Sequence, residues 1–245
     1  MIGRSLACLA VVACSSAATL TICHAQTRTE TRAVVELFTS QGCSSCPAAD
    51  RLLGELANDP TLVSMSLPID YWDYLGWKDT LAEPRNTARQ RAYSKLRPDR
   101  EVYTPQVVVN GSFHALGSDQ AAIEKMIAKS RQNTSALALP VSVSVASGKL
   151  NASFTGDGRS AEVWVVGLAK AITVVINRGE NKGKTITYYN VARSWHKLAS
   201  PDGKTWSIPL AEIDGEGVSR AAVLVQGGTI EKPGIMLGAA MATIR

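Results

Sequence analysis

Two cysteines, Cys43 and Cys46, are separated by two serines in the stretch ELFTSQGCSSCPAAD, which covers residues 36–50. Such a pair can close a structural disulfide, bind a metal through two thiolates, or exchange disulfides with other thiols. A disulfide that closes a loop of about four residues adds only about 2 kcal/mol of stability in the chain-entropy model. A closed zinc site needs two more ligands, although a two-thiolate Cu(I) site is conceivable. Redox exchange is therefore favoured, and the two other functions stay open.

The pair lies between a predicted strand and a predicted helix. The run RAVVELF, residues 32–38, is apolar and β-branched, which indicates a buried strand. Pro47 suits the first turn of a helix. The following apolar residues recur at helical spacing and form one face: Ala49, Leu52, Leu53, Leu56 and Ala57.

This placement predicts different roles for the two sulfurs. Cys43, just before or at the helix start, would face unpaired backbone N–H groups and the positive end of the helix dipole, which stabilise a thiolate. Cys46, one turn further, would be shielded and positioned to resolve a mixed disulfide formed at Cys43. Cys43 is therefore the predicted nucleophile and Cys46 the predicted resolving cysteine.

The first 25 residues have the features of a cleaved signal peptide. Arg4 provides a positive start, residues 6–13 are apolar, and Ala25 is a small residue suited to a cleavage site. A membrane anchor is the alternative, but serines and threonines dilute the apolar run below the length of a span. The mature protein is expected to be exported, periplasmic or secreted, with no membrane span.

Removal of this segment leaves two of the five cysteines, Cys43 and Cys46. One pair does not make a disulfide framework. The segment contains one arginine and no acid, so the net charge falls from +5 to +4. No dense basic tract is present, and no nucleic-acid partner is predicted.

The rest of the chain divides into two predicted parts. Strand, helix and hairpin patterns continue to about residue 130, with an Asn110-Gly111 turn and a helix capped by Ser118. The helix that begins at Pro84 bears basic residues on a predicted solvated face, with a docking patch for an acidic partner as the alternative: Arg85, Arg89, Arg91 and Lys95. After a polar linker, short apolar runs and Gly/Asp turns indicate an antiparallel, sandwich-like all-β accessory domain at about 138–245.

Four stretches together resemble a family of exported bacterial thioredoxin-like proteins of unknown function: ELFTSQGCSSCPAAD, DYWDYLGWKD, YTPQVVVNG and RGENKGKTITYYNVAR. The resemblance covers nearly the whole mature chain. It implies an α/β thioredoxin-like domain at about residues 30–130, with a helical insertion between Ile69 and Tyr103, followed by the all-β domain.

The resemblance also implies the other members of a site. Pro105 would be a cis-proline facing the cysteines, and the backbone of Thr104 would pair with an incoming polypeptide. Glu36 is the candidate proton relay for the second cysteine, with a surface or differently paired carboxylate as the alternative. Gly42 departs from the thioredoxin pattern, which has a tryptophan there.

The predicted function is that of an exported thiol–disulfide oxidoreductase. Its partners would be cysteine-containing exported proteins and a redox recycling protein, and it would need no cofactor beyond the Cys43–Cys46 disulfide. A non-catalytic binding module or a Cu(I)-handling protein is the alternative.

The sequence allows two interpretations for each of two polar segments. The aromatic and acidic run at residues 70–74 would pack as a wall or form a substrate-facing rim. The loop at residues 178–181, RGEN, would be a turn with local ion pairs or a cap over the active site.

Overall fold

The computed structural model describes residues 30–158, 161–198 and 204–245, and the predicted signal peptide lies outside these ranges. Within them the chain forms eleven strands and three α-helices. In chain order these are β1 (Ala33–Thr39), α1 (Cys46–Leu56), β2 (Leu62–Pro68), α2 (Pro84–Leu96), β3 (Gln106–Val109), β4 (Phe113–Leu116), α3 (Gln120–Ser130), β5 (Val141–Ala146), β6 (Lys149–Phe154), β7 (Ala161–Val175), β8 (Thr185–Lys197), β9 (Thr205–Pro209), β10 (Val218–Thr229) and β11 (Lys232–Thr243).

Helix α1 forms as the sequence predicts, with Pro47 in its first turn. Its apolar face is buried against β1, β3 and α3, because side chains at i, i+3, i+4 and i+7 share one side of a helix. This core contains Ala49, Leu52, Leu53, Leu56, Val35, Leu37, Val107, Ile123 and Ile127. Burial of these side chains fixes the axis of α1, and hence the position of the cysteines at its start.

The predicted hairpin is present between β3 and β4. Asn110 and Gly111 both have positive φ, 47° and 70°, as a two-residue hairpin turn requires. The cap of α3 is displaced by one residue from the prediction. Asp119, not Ser118, accepts the N–H of Ala122 at 2.9 Å through its side chain.

A single mixed sheet joins the two halves of the chain. Its strand order is β11-β10-β7-β8-β2-β1-β3-β4. β8 runs parallel to β2, with Ser66 opposite Val191. The adjacent Asn190, at φ 47°, donates its side-chain N–H to the carbonyl of Ser64 at 2.9 Å. The prediction of an α/β thioredoxin-like domain followed by an all-β sandwich-like domain is therefore wrong, because strands of both halves belong to one sheet.

A second sheet of three strands, in the order β5-β6-β9, packs on the far end of the first. Their shared core includes Leu150, Phe154, Val163, Val165, Val223 and Val225. No helix in the described part of the chain is both long and apolar enough to cross a membrane.

A buried ion pair connects β1, α2 and β10. Arg89 donates to Glu36 at 2.6 Å, and their side chains are only 4% and 0% exposed. Tyr93 donates to the same carboxylate at 2.7 Å, and Arg89 also donates to the side chain of Gln226 at 2.8 Å. The prediction of a solvated arginine face on α2 is therefore wrong for Arg89.

Candidate functional site

Cys43 and Cys46 form a disulfide at the N-terminal end of α1, with their Cα atoms 5.4 Å apart. The exposed fraction is 2% for Cys43 and 0% for Cys46, whereas Ser44 and Ser45 between them are exposed. A cleft of about 750 Å³ lies elsewhere, between the turn after α1 and strands β5 and β11, and contains neither cysteine. The sulfur pair is thus covered by protein in this oxidised form.

A loop from the other half of the chain crosses the cysteine segment. We call residues 176–184, which connect β7 and β8, the β7–β8 loop. Its Asn181 donates from Nδ2 to the carbonyls of Gln41 at 2.9 Å and Cys43 at 2.8 Å. Its Glu180 accepts the backbone N–H of Ser44 at 3.2 Å. The RGEN segment therefore contacts the candidate site, as the capping alternative predicts.

Trp72 connects the cysteine segment to the predicted cis-proline. Its indole N–H donates to Thr104 Oγ1 at 2.7 Å. A Cβ placed on Gly42 would stand 3.1 Å from Trp72 Cβ, so the glycine makes room for this side chain. A tryptophan from residues 70–74 thus packs beside the position that precedes Cys43, and the missing side chain at Gly42 allows it.

The Thr104–Pro105 peptide bond is cis, as the resemblance implied. Pro105 lies near the first turns of α1, since a Cβ placed on Gly117 would stand 3.1 Å from Pro105 Cβ and 3.2 Å from Ala49 Cβ. The structure therefore brings Thr104, Pro105 and the start of α1 together on one side of the sheet.

Gln41, two residues before Cys43, is held by the segment that follows residue 76. Its backbone N–H donates to Asp79 at 2.7 Å, and its side-chain oxygen accepts from the Trp77 indole at 2.7 Å. Burial raises the pKa of Asp79 to about 6, although hydrogen bonds from the N–H groups of Gln41, Leu81 and Ala82 oppose the rise. These contacts fix the turn that presents Cys43.

A buried carboxyl group lies one helical turn beyond Cys46. Asp50 is four residues further along α1, so its side chain leaves the helix on the same face. It is 2% exposed, and its Oδ1 accepts from Thr39 at 2.7 Å, whereas Oδ2 has no partner among the described residues. Burial raises the pKa of Asp50 to about 8; the charge of Asp79 adds to this and the Thr39 hydrogen bond opposes it.

This carboxyl group should make stability depend on pH. Its pKa of about 8 in the folded protein exceeds the value of about 3.9 in an unfolded chain, so the native state retains the proton between those values. The favourable contribution of Asp50 to the free energy of unfolding is complete below about pH 4 and is lost as the pH rises through 8. Asp50→Asn should therefore gain stability relative to the wild type as the pH increases, measured by urea unfolding of the oxidised protein at pH 5, 7 and 9.

Asp59 offers a control of opposite sign. Hydrogen bonds from Thr61 lower its pKa, and Arg32 adds to this effect. Asp59→Asn should lose stability relative to the wild type above about pH 4. The loss should be small, because the ion pair of Asp59 with Arg32 is partly exposed. If the difference in unfolding free energy between Asp50→Asn and the wild type stays constant from pH 5 to pH 9, Asp50 does not titrate in that range.

Glu36 lies on the opposite face of β1 from α1. Val35 and Leu37 pack in the core that includes α1, whereas Val34 and Phe38 pack in the core on the other side. Glu36 therefore points away from the cysteines, toward Arg89. Asp50, which the sequence analysis did not select, is the buried carboxyl on the cysteine side; its spacing from Cys46 was the available signal.

One group of three possible metal ligands is present among the described residues: Asp99, Glu101 and His114. The two ring nitrogens of His114 already contact Tyr103 at 2.9 Å and Asp99 at 3.1 Å. Neither cysteine belongs to such a group of His, Cys, Asp or Glu side chains in the described ranges.

Fold and site together define a mixed-sheet protein with a Cys-Ser-Ser-Cys disulfide at a strand-to-helix junction. Residues 34–226 match the family described as "Protein of unknown function (DUF1223)", and the chain belongs to that family. No curated protein matched the sequence.

Two solved structures are similar to this one. A crystal structure from a structural genomics consortium, of a protein from Agrobacterium tumefaciens, is 30% identical; the match covers 89% of this chain and 96% of that one, with a TM-score of 0.78. HBP35 of Porphyromonas gingivalis is 12% identical over 89% of this chain and 76% of its own, with a TM-score of 0.59. The second likeness concerns the fold alone.

Proposed function

We propose that this protein is an exported thiol–disulfide oxidoreductase whose site is related to that of the thioredoxin superfamily. Cys43 exchanges disulfides with cysteine-containing exported proteins, Cys46 resolves, and a separate redox protein recycles the pair. Thr104 and Pro105 form the surface on which the partner polypeptide lies. The observation that carries the proposal is the disulfide at the start of α1, on the same side of the sheet as the cis Thr104–Pro105 bond.

The exchange begins when a partner thiolate attacks Cys43 Sγ. The bond between Cys43 and Cys46 breaks, the partner becomes disulfide-linked to Cys43, and Cys46 leaves as a thiolate. A second partner thiolate then releases Cys43. The partner has lost two electrons and two protons, and the cysteine pair has gained both. The same steps in reverse reduce a partner disulfide.

Asp50 is suited to move the proton of Cys46. A thiol has an ordinary pKa of about 8.5, and proton transfer is most efficient between groups of similar pKa. The pKa of Asp50, about 8, meets that condition. Its carboxyl gives a proton to Cys46 when the disulfide opens, and its carboxylate takes the proton back when Cys46 attacks a mixed disulfide.

A non-catalytic binding module is the second candidate, and the burial of both sulfurs favours it. The alternatives differ in how the pair responds to a thiol buffer. An exchange catalyst shares its electrons with glutathione, whereas a binding module keeps its disulfide under the same conditions. Equilibration of the purified protein with glutathione therefore tests the proposed function.

A further inference from the structure

The β7–β8 loop is connected to the cysteine segment by three hydrogen bonds that span about 140 positions of sequence. Asn181 binds the carbonyls of Gln41 and Cys43, and Glu180 binds the N–H of Ser44. Asn181 is fully buried. These bonds fix the backbone on both sides of Cys43, the residue whose sulfur a partner must reach.

The loop has an internal structure that presents Asn181. Lys184 donates from Nζ to Asn181 Oδ1 at 2.8 Å, which orients the amide so that its Nδ2 faces the cysteine segment. Gly183 donates to the carbonyl of Ile176 at 2.7 Å and has φ of 82°, a conformation that favours glycine. The amide group is therefore held in place before any partner arrives.

We propose that the β7–β8 loop is a gate over the disulfide, in which Asn181 is the latch and Glu180 opposes a thiolate at Cys43. The inference rests on the proposed exchange activity and adds its control. Disulfide exchange requires that the attacking thiolate reach the sulfur, and Cys43 is 2% exposed with the loop in place. A partner therefore reacts only after the three hydrogen bonds to the loop have broken.

Glu180 connects the accessibility of Cys43 to the reactivity of its sulfur. The N-terminal end of α1, with its partial positive charge, stabilises a nearby anion. In the closed form the Glu180 carboxylate lies beside this end, because it accepts the backbone N–H of Ser44 in the turn just before the helix. A thiolate at Cys43 would add a second negative charge nearby, so the closed gate favours the thiol. When the loop moves away, the N–H of Ser44 becomes free and the repulsion ends, so that the opened site favours the reactive thiolate.

The test of the latch is the rate at which dithiothreitol reduces the pair in the full mature chain. Dithiothreitol supplies two electrons and two protons, and closes its own ring on oxidation. Asn181→Ala should accelerate reduction about tenfold, since two hydrogen bonds that hold the gate are lost. Lys182→Ala is the matched control: Lys182 is exposed on the same loop, and its rate should equal that of the wild type. Equal rates for Asn181→Ala and the wild type would show that Asn181 does not hold the β7–β8 loop closed over the disulfide.

Glu180→Gln tests the electrostatic part without a risk to folding, because Glu180 is exposed. In the reduced protein, the pH midpoint for alkylation of Cys43 by iodoacetamide should move to lower pH, which a merely structural role would not produce. An unchanged midpoint would overturn the role of Glu180. Should Asn181→Ala fail to fold, Asn181→Ser and the Glu180→Gln midpoint keep the gate testable.

The gate and the proposed function can fail separately. If Asn181→Ala speeds reduction by dithiothreitol but the pair never equilibrates with glutathione, the loop controls access and the oxidoreductase function is wrong. If the pair equilibrates with glutathione, and the Asn181 variants are reduced by dithiothreitol and by glutathione at the same rates as the wild type, the oxidoreductase function stands and the gate is wrong.

Discussion

Replacement of Cys46 by serine should turn the protein into a covalent trap for its partners. Cys43 would still attack a partner disulfide, but without the second thiol no internal group can release the mixed disulfide. Covalent complexes with exported proteins should therefore accumulate, visible on non-reducing gels after alkylation and lost on reduction. We expect many-fold more complex than with the wild type, in which release is fast.

Cys43→Ser is the matched control, since it also leaves one thiol. Cys46 is fully buried and belongs to the helix itself, so this variant should trap almost nothing. Equal trapping by both variants would contradict the assigned roles, and trapping by Cys43→Ser alone would reverse them.

Glu36→Gln should cost about 3–5 kcal/mol in the free energy of unfolding, because it leaves the buried charge of Arg89 uncompensated. The pair is almost completely buried, and Arg89 depends on Glu36, Tyr93 and Gln226 for its hydrogen bonds. Urea unfolding of the oxidised protein measures the loss. The thiol chemistry of the folded variant should be unchanged, since Glu36 faces away from the cysteines.

Two variants give this prediction its controls. The double change Glu36→Leu with Arg89→Met removes both charges and should recover much of the stability, as replacement of buried ion pairs by apolar residues often does. Glu124→Gln breaks the partly exposed pair with Arg32 and should cost less than about 1 kcal/mol. A Glu36→Gln cost as small as that of Glu124→Gln would show that the buried network does not stabilise the fold.

Local elements could be predicted from sequence because local patterns determine them. The apolar spacing of α1, its Pro47 and the Asn110-Gly111 turn each specify a conformation within a few residues. The cysteine pair at the strand-to-helix junction followed from the same reasoning. What the patterns did not contain was the parallel pairing of β8 with β2, in which Ser66 lies opposite Val191 and Asn190 donates to the carbonyl of Ser64.

The contacts that the sequence did not predict involve residues that are distant along the chain or hidden by burial. Asn181 reaches Cys43 only because the β7–β8 hairpin joins the same sheet as β1. Arg89 has the pattern of a surface residue, yet Glu36, on a distant strand, gives it a buried partner. Asp50 reads as an ordinary helix acid until packing removes it from water and raises its pKa. Long-range contacts, which no local pattern encodes, decide each case.

The central claim is that the Cys43–Cys46 pair exchanges disulfides, and its reduction potential tests this most directly. The chain without residues 1–25 is equilibrated with mixtures of reduced and oxidised glutathione, then quenched by alkylation and quantified by mass. The account predicts a reversible two-electron couple within about −120 to −270 mV, the range of known exchange proteins. A pair that stays oxidised in every mixture, with a potential below about −300 mV as in structural disulfides, would contradict it.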